Sequence, residues 1–123
     1  MRTELAMRIA LGRSPSTAVA QAWQVLRATN GTARIEHLVA ESGMSHRHFI
    51  ARFRDEIGVT PKQMARVLRF EHAMDLLTRT GASVTGTALA AGYCDQAHLS
   101  RDFRALGGSS PGMLLAAHRA RGS

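Results

Sequence analysis

The stretch "GMSHRHFIARFRDEIGVTP", beginning at Gly43, returns in altered form as "GYCDQAHLSRDFRALGGSSP", beginning at Gly92. Setting Gly43 over Gly92 pairs Leu38-Val39 with Thr87-Ala88 upstream and Met44 with Tyr93 downstream. The second copy then carries one extra residue in its turn. Beyond it Ser45 pairs with Asp95, His48 with His98, Phe49 with Leu99, Phe53 with Phe103, Arg54 with Arg104, Gly58 with Gly108 and Pro61 with Pro111. A repeat sustained over this length means two copies of one supersecondary unit.

The residues say what the unit is. Ser45 and Asp95 are helix N-caps, because a short side-chain oxygen accepts from an early free backbone N–H. Phe49, Phe53 and Ile57 recur at four-residue spacing, one face of a helix, and Leu99, Phe103 and Leu106 do the same in the second copy. Gly58 and Gly108 fall just past these helices, where a left-handed residue is wanted. Upstream, Ile35, Leu38 and Val39 form a shorter apolar face that stops near Gly43, a part played by Val84, Ala88 and Leu89 in the second copy. Each copy therefore reads short helix, glycine turn, longer helix, which is a helix-turn-helix.

Thr60-Pro61 and Ser110-Pro111 punctuate the ends of the two copies. A hydroxyl cap followed by proline at the first helical position starts a new helix, since proline's missing N–H has no partner there in any case. After Thr60-Pro61, Met64, Val67, Leu68, Met74 and Leu77 make an apolar stripe on a linker helix. At 1.5 Å per residue, about 17 residues of it span about 25 Å. Ser16 caps a helix through "STAVAQAWQVLRAT", with Val19, Trp23 and Leu26 on one face and Asn30-Gly31 as its closing turn. "TELAMRIAL" is a candidate for a further short helix. No alternating run of β-branched residues predicts a strand. The expected fold is all-α: two helix-turn-helix subdomains, homeodomain-like three-helix units, joined by a long linker helix. The expected segments are 1–30, an N-terminal helical linker or packing helix; 31–60, the first helix-turn-helix; 61–80, the linker helix; and 81–123, the second helix-turn-helix with a C-terminal helix.

Charge narrows the partner. The 123 residues carry a formal net charge of +7, and all but one of the 16 basic residues are arginines, Lys62 being the exception. Such a chain suits an acidic partner, most simply nucleic acid, against the plainer reading of a solvated basic surface. At 45% hydrophobic the chain has enough apolar residues for a core. Cys94 is the single cysteine, so no internal disulfide forms; this fits a reducing cytoplasm, and a small buried thiol is the expected role. No signal peptide or membrane span is read. His46 and His48 diverge on a helix, while His37, His72, His98 and His118 show no ligand spacing, so no metal or other cofactor is expected. No nucleophile elbow or phosphate loop points to an enzyme.

The run from "HLVAESGMSHRHFIARFRDEIGVTP" through "RFEHAMDLL" to "ALAAGYCDQAHLSRDFRALGGSSP" resembles the AraC/XylS-type transcription regulators, over roughly residues 33–117. The resemblance is specific because it requires two helix-turn-helix units, the linking helix and the proline endings in order. It implies a monomeric double-stranded DNA-binding domain of about seven helices, with recognition helices at about 45–57 and 95–106 entering successive major grooves on one face of the duplex. It also raises RNA polymerase and an effector-sensing domain as partners. No such sensor domain is visible here, so the chain reads as the DNA-binding half, either cut from a larger regulator or acting alone.

On the first recognition helix, Ser45 stands at the start and His46, Arg47, His48, Ile50, Ala51, Arg52 and Arg54 are the expected outward positions. Arg47 can bond guanine O6 and N7 together, or else a phosphate; Arg54 suits phosphate. Ala51 stands where the family often has arginine, two residues before the phenylalanine, and Arg52 is the expected substitute. On the second, Gln96, Ala97, His98, Ser100, Arg101 and Arg104 face outward. Gln96 can pair with adenine N6 and N7, Ala97 can meet a thymine methyl, and Arg101 matches the family's arginine position. Asp102 repels phosphate and is placed on the far side or against an arginine. Backbone N–H groups near Ala33–Arg34 and Val84–Thr85 are candidate phosphate donors. A helical protein-interaction module with a basic surface for an acidic partner is the competing reading. Duplex titration separates the two.

Overall fold

The computed structural model describes residues 16–108, and α-helices begin after Ser16, Ser45, Thr60 and Asp95 as the sequence marks. They are α1 (Thr17–Ala28), α2 (Ile35–Ser42), α3 (His46–Ile57), α4 (Pro61–Asp75), α5 (Val84–Ala90) and α6 (Gln96–Gly107). A five-residue π-helical segment, Leu76–Thr80, continues α4. No strand occurs among the described residues. The "TELAMRIAL" helix and the one expected after Ser110-Pro111 lie outside the described residues.

Capping explains most boundaries. Ser16, Ser45, Ser83 and Asp95 each accept from a backbone N–H three residues on, those of Val19, His48, Gly86 and His98. α4 starts with a reciprocal pair: the Thr60 hydroxyl accepts from Gln63 N–H, and the Gln63 side chain accepts from Thr60 N–H. Gly58 and Gly108 close α3 and α6 at φ of 104° and 79°, a left-handed conformation that costs glycine nothing. The linker helix ends at Thr80, but the form of its last turn was not legible. There the Thr78 and Thr80 hydroxyls donate to the carbonyls of Met74 and Leu76, four residues back, and the helix widens before stopping at left-handed Gly81.

The chain divides into two compact units, the first ending at Leu68 and the second beginning at Arg69, so the division falls inside α4. In the first unit Val19, Ala22, Leu26, Leu38, Phe49, Phe53, Ile57, Met64, Ala65 and Leu68 form one buried core. Trp23 packs on its edge with the Arg27 guanidinium 5.8 Å above the ring. In the second unit Ala73, Leu77, Ala88, Ala91, Tyr93, Leu99 and Phe103 are the core, and the Phe70 ring meets Phe103 edge-on at 4.8 Å.

Three expectations need correction. Leu89 is 68% exposed, and Thr87 takes the buried place instead, because Thr87 aligns with core residue Leu38 while Leu89 lies about 200° further round the helix. Leu106 follows the spacing of Leu99 and Phe103 but is 37% exposed and is not among the described residues of the second core. Cys94 is exposed rather than buried, being the extra residue of the second turn.

Candidate nucleic-acid interface

In each unit one helix turns at least two arginines out to solvent. In the first, α3 turns Phe49, Phe53 and Ile57 inward, with the two phenylalanine rings 5.9 Å apart. Anchoring that face leaves His46, Arg47, His48, Ala51, Arg52 and Arg54 exposed, with Ser45 exposed at the cap. Ile50 departs from the expectation: it is half-buried and packs on the core. Arg47, Ala51 and Arg54 follow one another at helical spacing along one stripe. With His46, Ile50, Asp55 and Gly58 they line an open depression of about 780 Å³. Ala51 places only a methyl between the two arginines, whose side chains can extend outward to a ligand. Asp55 was not anticipated here, and it adds an acidic group at one side of the depression.

Arg52 has a different environment. Its Nε donates to Glu56 Oε2 at 2.7 Å, an i,i+4 pair, and Glu56 Oε1 accepts from the backbone N–H of Ser16 at the start of α1. Partial burial acts to raise the Glu56 carboxyl, but the Ser16 N–H and the Arg52 guanidinium outweigh it and hold the group below its ordinary value. The substitute for the family's arginine is therefore tied along its own helix, although its side chain is still 45% exposed.

In the second unit α6 buries Leu99, Asp102 and Phe103. Asp102 is 4% exposed, which removes its charge from the outward face. Gln96, Ala97, Arg101 and Arg104 are exposed, while Ser100 and His98 are half-buried. The His98 ring stands edge-on to Tyr93 at 4.9 Å, and the Arg69 guanidinium lies 5.9 Å from the same tyrosine ring. Thr85 Oγ1, on α5, donates to Gln96 Oε1 at 2.9 Å. The sequence reading took Thr85 only for its backbone. No spacing rule links residues eleven apart on two helices, so this contact needed the packed structure to be seen.

Aligned through the repeat, the stripe Arg47, Ala51, Arg54 corresponds to Ala97, Arg101, Arg104. The two helices share the last arginine and shift the other by one turn. They present different donor patterns on one scaffold. At the start of α2, Arg34 makes no side-chain cap, leaving early N–H groups uncapped by it; at α5 the Ser83 hydroxyl takes the N–H of Gly86. Among the described residues no helix is long and apolar enough to cross a membrane, and no group of three or more His, Cys, Asp or Glu is placed to hold a metal ion.

A family model described as "Helix-turn-helix domain" matches residues 38–117. Over 77 residues the chain is 36% identical to the MmsAB operon regulatory protein of Pseudomonas aeruginosa, covering 63% of this chain and 25% of that protein. It is 36% identical over 89 residues to the transcriptional activator NphR of a Rhodococcus species, covering 72% of this chain and 26% of that one. The chain thus spans about a quarter of the length of the curated relatives it matches. Its fold is similar to the DNA-binding domain of the global transcriptional factor AdpA, solved in complex with a target DNA: TM-score 0.77, 34% identity, 86% of this chain and 96% of that one. It is also similar to a probable AraC family transcriptional regulator from Rhodopseudomonas palustris, at TM-score 0.71 and 33% identity, covering 84% of this chain and 98% of that one.

Proposed function

Because the chain belongs to the AraC/XylS-type helix-turn-helix transcription regulators, we propose that it is a sequence-specific double-stranded DNA-binding regulator in which α3 and α6 read bases. The observation that carries this is that both helices bury a phenylalanine-bearing stripe and turn arginines out to solvent, Arg47 and Arg54 on one, Arg101 and Arg104 on the other. A major groove admits a helix and distinguishes all four base pairs along its edges. The AdpA domain, 34% identical, was solved on DNA, which supports the same use of this fold here.

In this reading Arg101 and Arg47 bond base edges, Arg54 and Arg104 neutralise phosphate, and Gln96 with Ala97 read at the start of α6. Ser45, His46, His48 and Ser100 border the contact. His98 and Ile50 support their helices from half-buried positions, and Arg52 is held in reserve by Glu56. Each helix enters its own major groove of one duplex, in successive turns, so a single chain does the work of a helix-turn-helix dimer. The activity is binding, not catalysis, and the compartment is that of the chromosome, the cytoplasm. Contacts to RNA polymerase and coupling to an effector-sensing domain belong to the same proposal.

The test is titration against random duplex and a selected duplex across a range of salt. The reading expects a steep salt dependence, from release of counterions at each neutralised phosphate, and roughly a thousandfold gain on the selected site. Arg101→Ala is expected to lose about 1–3 kcal/mol on the selected site and little on random duplex. Equal loss on every sequence makes Arg101 a phosphate contact. No duplex binding at low salt contradicts the reading and favours an acidic protein partner.

A further inference from the structure

We propose that Thr85 is a positioning residue for base readout: its hydroxyl anchors the Gln96 amide and thereby strengthens the preference of Gln96 for adenine. The inference rests on the reading of α6 as a base-reading helix.

The Thr85 hydroxyl donates to Gln96 Oε1 at 2.9 Å, from the first turn of α5 to the first residue of α6. Both residues are exposed, so the amide keeps its free side toward solvent and any ligand. A glutamine amide left to itself turns easily, because its terminal torsion is broad and nearly two-fold. That freedom matters at a purine. Adenine and guanine share the N7 acceptor, but at the 6-position adenine presents a donor and guanine an acceptor. An amide with its oxygen toward the 6-position and its N–H toward N7 makes two bonds to adenine, whereas guanine, with acceptors at both places, meets an amide in either orientation with one bond at most. Thr85 anchors the amide through its oxygen, so less side-chain freedom is lost when the amide meets a base. One of the two lone pairs of Oε1 is used, which leaves the other lone pair and both N–H donors side by side. One acceptor beside one donor is the pattern adenine requires.

The device belongs to the second copy alone. Through the repeat, Thr85 aligns with Glu36 and Gln96 with His46, neither of which can reproduce a hydroxyl-to-amide anchor. It is also inexpensive for the fold, since neither side chain contributes to the buried core.

The experiment measures affinity for four duplexes that differ only at the base pair where Gln96→Ala abolishes a preference. The wild-type chain, Thr85→Val, Thr85→Ser and Gln96→Ala are compared, with a thermal melt of each. The expected result is an adenine-over-guanine preference of about tenfold in the wild-type chain, reduced to about twofold in Thr85→Val and kept in Thr85→Ser. The melts and the affinity for random duplex stay unchanged. Three results overturn the inference: Thr85→Val keeps the full preference, it weakens all four duplexes equally, or Gln96→Ala alters no base preference anywhere. Absence of duplex binding by the wild-type chain overturns the DNA reading together with it, whereas the three results above leave that reading standing.

Discussion

Arg52 and Arg54 lie two residues apart on α3, yet one is tied to a carboxylate and the other projects from the open depression. Glu56 makes the difference, and it also links the first turn of α1 to α3 through the Ser16 N–H. Its carboxyl is lower in the folded chain than when free, so the folded state favours the ionised form. That contribution is complete above the ordinary carboxylate value of about 4.3 and is lost as pH falls below it through the folded value. Glu56→Gln is therefore expected to lower stability by about 0.5–1 kcal/mol at neutral pH, a modest figure because Arg52 is nearly half in water. The gap between variant and wild type should close as pH drops below about 4. Melts of both chains from neutral to acidic pH check it; a gap that is constant, or that widens in acid, contradicts the linkage. Arg52 and Glu56 stand at the four-residue spacing of a helical pair. The coupling of Glu56 to Ser16, forty residues away, had no sequence signal, because only the packing of α1 on α3 brings them together.

At the scale of elements, the caps were the most legible part of the fold. Ser45, Asp95, Gly58 and Gly108 mark helix ends by local chemistry that acts whatever the rest of the chain does. The main inward stripes of α3 and α6 followed too, since four-residue spacing over three turns leaves one solution, with Ile50 and Leu106 the departures at their edges. α5 is different. With seven residues it has barely two turns, and an apolar pattern that short fits more than one face. The repeat resolves it: Thr87 occupies the place of Leu38, fully buried, and its hydroxyl has no hydrogen-bond partner among the described residues. A buried hydroxyl without a partner loses its hydration and gains nothing in exchange. Thr87→Val keeps the shape and removes that cost, so it should stabilise the chain by about 1 kcal/mol, read from chemical denaturation. Destabilisation by the substitution means the hydroxyl is satisfied in solution and the face of α5 is drawn wrongly. The π-helical ending of α4 had no signal of its own, because threonine hydroxyls bonding back to carbonyls depend on a helix already being there.

For the whole molecule, the decisive feature is that the two copies share their pattern of buried positions yet differ at several outward ones. Phe53 and Phe103 are equivalent and both fully buried. Arg47 against Ala97, and Ala51 against Arg101, are equivalent and different. A pair of identical readers, as in a symmetric dimer, selects a palindrome. Two unlike readers in one chain select a site with two unlike halves, each about as long as one groove-bound helix can cover. The direct measurement is selection of bound duplexes from a random pool by the 123-residue chain. The account predicts an enriched site with two dissimilar blocks about 10 base pairs apart, centre to centre, bound by one chain. A palindromic site bound by two chains, a single block, or no enrichment over random duplex contradicts it.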